Sequence, residues 1–383
     1  MNNRLRNTIA VLGVLVAPVF LSGCWDVTST EILTVPTLMA IGWHHHRYTI
    51  TMETDSPQLM STPGSGSSTT TSPTWILRGQ GTSISQALLD TGLNVETGNP
   101  LTLAHLRVVV LGKSVLSPNR LPTILDHFAR APYLHRTFWI LSTSGPARPI
   151  AEAENPIGPD PVNVLQRDLK IAKLHGNIVP HRFYRVIESV VNTPYEGLEI
   201  PTVMVKPAPN GKSGGQFRFQ GAYIILHDRI IGHWSLHQVR TYALLHNADP
   251  GLLLTVPISD GGYYVFRVLT SHTRVTWRHR SLRISNHCVV SLVEITSPVG
   301  TSHTPPLPLA EMMAKQLATR ITSLVRWTQN HRVDMLKAGV DASLRHPLWF
   351  PSHEQDWSTI YAKAPFTIHV SVTIHDTGSL NTY

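Results

Sequence analysis

Cysteine is nearly missing from this chain: only Cys24 and Cys288 occur in 383 residues. Two thiols cannot build a disulfide framework, so the fold must rest on its cores. Motifs for chemistry are missing too. Gly112-Lys113-Ser114 and Gly211-Lys212-Ser213 end like phosphate-binding loops, but the earlier glycine that such a loop needs falls on Arg107 and on Lys206. His353-Glu354 opens like a zinc-protease helix, yet Trp357 stands where the second histidine would be. Gly211 to Gly215 fits Gly-x-Ser-x-Gly around Ser213. A nucleophile elbow needs a strand before and a helix after, whereas Pro207-Ala208-Pro209 precedes it and a strand pattern follows. Ser213 therefore reads as a loop residue, and no catalytic residue or metal ligand set is assigned.

What is present begins at the N-terminus. Arg4 and Arg6 precede an apolar run from Ile9 to Leu21, broken only by Gly13 and Pro18. That run is shorter than the roughly 20 residues a membrane-spanning helix needs. Leu21-Ser22-Gly23-Cys24 follows it, and a small-residue stretch ending in one cysteine resembles a bacterial lipobox. The expected outcome is cleavage after Gly23, a diacylglyceryl group on the Cys24 thiol and a tether on the outer face of the cytoplasmic membrane. The competing reading is an ordinary secretory signal with a cysteine near its cut site. Two acyl chains hold a protein far more firmly than one. Losing Arg4 and Arg6 lowers the formal charge from +8 to +6, which suits anionic headgroups better than nucleic acid in an exported protein. Histidine is abundant, at 21 residues, so mild acid would raise that charge. With Cys24 lipidated, Cys288 has no partner; it reads as a small buried side chain in a strand.

Hydrophobic content of 42% supports real cores. Thr37 to Trp43 and Arg47 to Glu53 alternate around His44-His45-His46 as a hairpin. Ser61 to Thr74 is almost wholly Ser, Thr, Gly and Pro, a loop inserted between strand and helix. Helices are expected from Ile84, at Leu121 to Phe128, Ala147 to Ala153, Val162 to Leu174 and Phe183 to Val191. Strands are expected at Leu106 to Leu111, Phe138 to Thr143 and Ile200 to Lys206. Pro207 to Gly215 is the strongest linker. Beyond it come a hairpin, a helix from Leu236 to Leu245, strands from Leu252 to Ile295, an amphipathic helix from Pro308 to Lys337 and a strictly alternating strand, Phe366 to Ile374. The fold class is thus α+β and multi-domain, with mixed sheets flanked by helices. The division is 1–23 signal peptide, 24–206 N-terminal region of two α/β subdomains, 207–216 linker and 217–383 C-terminal α+β domain.

Ordered segments carry a family resemblance. Cys24-Trp25-Asp26, Leu38-Met39-Ala40-Ile41-Gly42 and Leu103 to Gly112 are followed by Leu125-Asp126-His127-Phe128-Ala129-Arg130 with Arg136. Gly221-Ala222-Tyr223, Ile231-Gly232-His233-Trp234, Asp334 to Gly339, His346-Pro347-Leu348-Trp349 and Trp357 continue the series. The chain resembles the Ger(x)C lipoproteins, the C subunits of endospore nutrient germinant receptors, over nearly all of its mature length. The resemblance implies a three-domain body on the outer face of the spore inner membrane. It implies two multi-spanning partners, an A subunit and a transporter-like B subunit, and no catalysis, with no cofactor beyond the lipid on Cys24.

Several residues carry two readings. Trp25 and Asp26 either orient the tether at headgroup level or lie in a flexible stalk. Arg130 and Arg136 either meet an acidic partner or form a buried or half-buried ion pair. Trp349 and Trp357 either pack the last helix on the final strand or face a partner. His44 and His46 either hold a metal with a third ligand or stay solvated. His105 is expected inside the core. Two other functions stay in view: a solute-binding lipoprotein, which needs a deep cleft between lobes, and an exported hydrolase, which needs a nucleophile, base and acid together.

Overall fold

The computed structural model describes residues 33–55, 74–93, 100–153, 161–192, 196–207, 215–227, 229–246, 251–257, 262–296 and 309–376. The readings of Cys24, Trp25, Asp26, Ser213 and nearly all of the Ser/Thr stretch lie outside these residues.

Strands β1 (Pro36–His44) and β2 (Arg47–Asp55) form the expected antiparallel hairpin. Its turn is narrower than three histidines: His44 pairs with Arg47, and only His45 and His46 turn, with φ of +46° and +61°. Two successive positive φ values suit the right-handed twist of a two-residue hairpin. The Ser/Thr stretch joins two strands instead of a strand and a helix, because β3 (Thr74–Gly81) pairs with β2 before helix α1 (Ile84–Leu93) begins. Ser83 caps α1 by accepting from the Gln86 N–H at 3.2 Å.

The chain then alternates. It runs through β4 (Val108–Gly112), α2 (Leu121–Arg130), β5 (Trp139–Thr143), α3 (Arg148–Ala151) and α4 (Pro161–Leu174). β6 (His181–Arg182), α5 (Phe183–Asn192) and β7 (Leu198–Pro207) follow. β1, β4, β5 and β7 run parallel, and every residue of β4 is buried. That is why an unbroken β-branched run stands there: helices cover both faces. Ile84, Ile124, Phe128 and Phe183 pack with Met39, Ile41, Val109 and Leu111 on one face. Ile150, Val162, Leu165 and Leu169 pack with Leu38, Ala40, Val108 and Val110 on the other. Burying each Val or Leu contributes roughly 1.5–3 kcal/mol.

One join in this sheet is thin. β6 occupies β5 at Trp139 and Ile140, leaving β7 a single register pair, Ser142 with Thr202. The Ser142 hydroxyl lies 3.2 Å from the Ile200 carbonyl, 3.1 Å from that of Pro201 and 3.2 Å from the Thr202 hydroxyl.

The sheet does not stop at the 207–216 stretch. Pro207 of β7 pairs with Gly215 of β8 (Gly215–Leu226), and β9 (Arg229–Trp234) completes nine strands in the order β3-β2-β1-β4-β5-β7-β8-β9, with β6 on β5. α6 (Leu236–Leu245) follows, with a capping box between Ser235 and Gln238. A second sheet, β10 (Leu253–Pro257), β11 (Tyr263–Arg278), β12 (Ser281–Thr296) and β13 (Phe366–Asp376), pairs in that order, the last pair parallel.

Helix α7 (Leu309–Asn330) buries Leu317, Ile321, Leu324 and Val325 as its periodicity requires. It ends short of Lys337. Arg332 takes a left-handed φ of +53°, and the Val333 N–H returns to the Thr328 carbonyl at 3.0 Å, which closes the helix. Short helices α8 (Ala338–Arg345) and α9 (Trp357–Lys363) follow. One core joins the two sheets, with Ala222, Ile224 and Trp234 from the first, Trp277, Leu282 and Ile284 from the second, and Ile321 and Leu324 between them. The architecture is α+β with mixed sheets and flanking helices, as the sequence pattern indicates. His105 is the exception to its expectation: it sits exposed in the turn before β4, not in the core, since the strand starts three residues later.

Candidate functional site

The C-terminal segments of the resemblance converge on one carboxylate. Asp334 is 1% exposed. Its Oδ1 accepts from the Leu336 and Ala338 N–H groups at 3.0 and 3.2 Å, and its Oδ2 from the Gly339 N–H at 2.7 Å and the Trp357 indole N–H at 3.1 Å. The αL residue Lys337, with φ of +58°, bends the chain so that three amides point inward and α8 can start. Burial pushes the Asp334 carboxyl above its usual pKa, partly offset by these donors. Trp357 is fully buried against Trp277, at 4.8 Å between ring centroids, and against Phe350. This corrects its reading as a partner-facing residue: an indole whose N–H holds an internal carboxylate has no outward face. Around it, the Thr328 and Tyr361 hydroxyls lie 2.7 Å apart, and the Gln329 amide donates to the Tyr361 and Ala364 carbonyls, which ties the end of α7 to α9.

Gly221 and Gly232 serve the same junction. A Cβ on Gly221, where φ is +126°, would sit 1.9 Å from the Trp234 carbonyl oxygen, and one on Gly232 would meet the Trp327 ring at 2.7 Å. The glycines let β8, β9 and α7 close on Trp234, which is fully buried. A second buried polar group lies nearby. Glu199 on β7, 1% exposed, is 2.5 Å from His181 Nε2 on β6. Tyr242 on α6 and His246 at its C-terminal cap feel its charge. Burial, reinforced by Glu199, pushes the Tyr242 phenol up, while burial pulls the His246 imidazole down against the opposing effect of Glu199. Sequence reasoning missed Asp334, Glu199 and His181 as site residues, because their partners come from distant segments that no local pattern connects.

The other candidates are on the surface. Arg130 pairs with Asp126 one helical turn away, with side chains 79% and 57% exposed. The expected buried or half-buried pair is therefore corrected: Arg130 ends an α2 whose inner face is already filled by Leu121, Ile124, Leu125 and Phe128. Arg136, also exposed, donates to the Ala129 carbonyl at 2.7 Å and fastens the loop to the end of α2. Trp349 is half-buried and stacks on His353 at 4.3 Å, with the Arg280 guanidinium 6.0 Å from its ring. The structure brings Trp349 and Trp357 to the same end of the C-terminal region, while Arg130 and Arg136 lie together on the first sheet's helical layer.

Cys288 is buried, and burial pushes its thiol pKa up, which leaves it poorly nucleophilic. The His44 and His45 rings lie 3.8 Å apart at the hairpin tip, and among the described residues no three His, Cys, Asp or Glu side chains come together as a metal site. Ser85 lies 3.4 Å from His127 and Ser371 lies 2.8 Å from His287, but among the described residues no carboxylate is hydrogen-bonded to the far nitrogen of either ring. A cavity of about 560 Å³ lies against β1, β2 and β3, floored by Ala40, Gly42, Thr49 and Thr51 and flanked by Arg78 and Arg148. Glu152 holds both guanidiniums at 2.7 Å. The cavity belongs to one sheet and is not a cleft between lobes.

Comparison with known proteins gives this geometry its context. Residues 28–205 match the model of the spore germination protein N-terminal domain, and residues 220–378 match that of the spore germination B3/GerAC-like C-terminal domain. Spore germination protein B3 of Bacillus subtilis is 22% identical over 375 residues, covering 94% of this chain and 95% of that protein. The putative spore germination protein YfkR of the same organism is 25% identical over 264 residues, covering 67% of this chain and 66% of that one. The crystal structure of the GerBC protein shares the fold, with a TM-score of 0.57 at 17% identity over 88% of this chain and 96% of the other. With both family domains matched in order across most of its length, the chain belongs to the Ger(x)C family of spore germination proteins.

Proposed function

We propose that this protein is the membrane-anchored, non-catalytic C subunit of a spore nutrient germinant receptor, working beside an A subunit and a transporter-like B subunit. The observation that carries the reading is the ordered match of both spore germination domains directly behind Leu21-Ser22-Gly23-Cys24. Among the described residues no helix is long and apolar enough to cross a membrane, and a diacylglyceryl group on Cys24 would hold the body at the outer face of the spore inner membrane without one. Trp25 and Asp26 would then lie at headgroup level. Because Asp334, Trp357, Gly221 and Gly232 close a buried junction, they support a scaffold role better than a catalytic one. The decisive experiment replaces Cys24 with alanine and follows retention in spore membranes together with the nutrient germination response. Loss of both is expected; normal retention and response would overturn the anchored-receptor reading. Pull-down from spore membranes then tests the partnership, since a scaffold brings multi-spanning proteins with it and a lone solute binder does not.

A further inference from the structure

Helices α6 and α7 enclose a second cavity, of about 310 Å³, lined by His237, Gln238, Thr241, Thr319, Arg320, Ser323, Leu324 and Trp327. Its charged and ionisable lining is wholly basic. Arg320 is half-buried, and among the described residues no protein acceptor is hydrogen-bonded to its guanidinium. His237 has no hydrogen-bond partner for its ring among them either. Arg240 lies close enough to act on both, while donating to the Asn177 side chain at 2.8 Å. Burial, Arg320 and Arg240 all push the His237 imidazole down, and burial and Arg240 push the Arg320 guanidinium down; no carboxylate offsets either one. Arg320 is the half-buried cation here, with His237 and Arg240 exposed beside it, and a half-buried guanidinium is not ordinarily left without a counter-charge.

The neutral lining defines what that counter-charge must be. The Thr241, Thr319 and Ser323 hydroxyls donate to helix carbonyls one turn back, at 3.0, 2.9 and 3.0 Å, so they turn lone pairs toward the cavity. Gln238 Oε1 accepts from the Ser235 N–H at 3.0 Å, which leaves its amide N–H groups to donate. The free donors are thus the Arg320 fork, the His237 ring and the Gln238 amide, and the hydroxyl oxygens can accept from a protonated ligand oxygen. We propose that this cavity binds a phosphate group, held by Arg320 and His237 with Arg240 as the outer charge. A phosphate carries about −1.5 to −2 at neutral pH, which matches two guanidiniums, and its oxygens accept from a guanidinium fork. Such a group can come from a soluble phosphate compound or from a phospholipid headgroup.

The test titrates the full mature chain carrying Cys24→Ala with inorganic phosphate, by calorimetry and by thermal melting at fixed ionic strength. Saturable binding and a rise in melting temperature are expected, with chloride giving neither. Arg320→Gln should weaken binding about tenfold or more, and in phosphate-free buffer it should melt at or above the unsubstituted protein, because a like-charge repulsion is removed. A melting temperature lowered in that buffer would make Arg320 a structural residue and overturn the proposal, as would equal stabilisation by chloride. Vesicles of phosphatidylglycerol separate the sources. Vesicle binding that inorganic phosphate displaces and Arg320→Gln abolishes assigns the headgroup; phosphate binding without vesicle binding assigns a soluble compound. These readouts need neither the lipid anchor nor the receptor partners, so they succeed or fail apart from the proposed function.

Discussion

The two halves of this molecule are closed by different means. The parallel core of the first sheet is sealed by apolar packing on both faces of β4, whose residues are all buried. The C-terminal region is sealed around polar atoms: Asp334 with four donors, Thr328 with Tyr361, and Gln329 with two carbonyls. Apolar packing is non-directional and tolerates exchange of similar volumes, whereas a buried carboxylate specifies one arrangement of its donors. The parallel core of the first half therefore owes its form mainly to composition and period, while the apolar cores of the second are joined by a few directional polar contacts.

Four substitutions sharpen that contrast. The largest effect is expected at Asp334→Ala, which strands four buried donors and should cost roughly 4–5 kcal/mol in urea unfolding. Asp334→Asn removes the titrating group, while turning an amide NH2 toward two of the four donors. The folded carboxyl has a raised pKa, so the stability it adds is full in acid and is lost as pH rises from about 4 through the folded value. The asparagine variant should lack that slope; an identical pH dependence in both proteins would remove the buried carboxylate from the account. Leu111→Ala, in the apolar core and fully buried, should come next at about 3 kcal/mol with no pH dependence. If it cost more than Asp334→Ala, the polar closure would be the weaker of the two. Smallest is Arg130→Ala, where an exposed ion pair is lost and the melting temperature should not measurably change.

How much of this was legible follows the same division. The β-branched run at Val108 to Val110 and the histidine turn are local signals, and the structure has a strand at the first and a turn at the second, narrowed from three histidines to His45 and His46. β3 was hidden, since Gly79 and Gly81 weaken any strand pattern. They are needed because α1 lies directly on them: a Cβ on Gly79 would meet the Ala87 carbonyl at 2.4 Å, and one on Gly81 the Ala87 nitrogen at 2.5 Å. The expected length of α7, to Lys337, has a related cause. Helical periodicity runs on past Asn330, but Arg332 turns left-handed and the Val333 N–H closes the helix on Thr328, after which Asp334 draws in amides from beyond. Arg130 and Arg136 were legible as residues but not in role, because exposure depends on which face of α2 the sheet takes.

The thin join between β5 and β7 has a mechanical meaning. The two family domains meet near residues 205–220, yet the chain there is stitched by the long β7–β8 ladder, so a pull between the ends of the molecule would not part it at that point. Load would travel through the ladder to the single Ser142–Thr202 pair, the weakest rung between the first strands and everything after them. In a force-extension experiment the protein should part there first, as a fuse set inside one domain and not at the border between two.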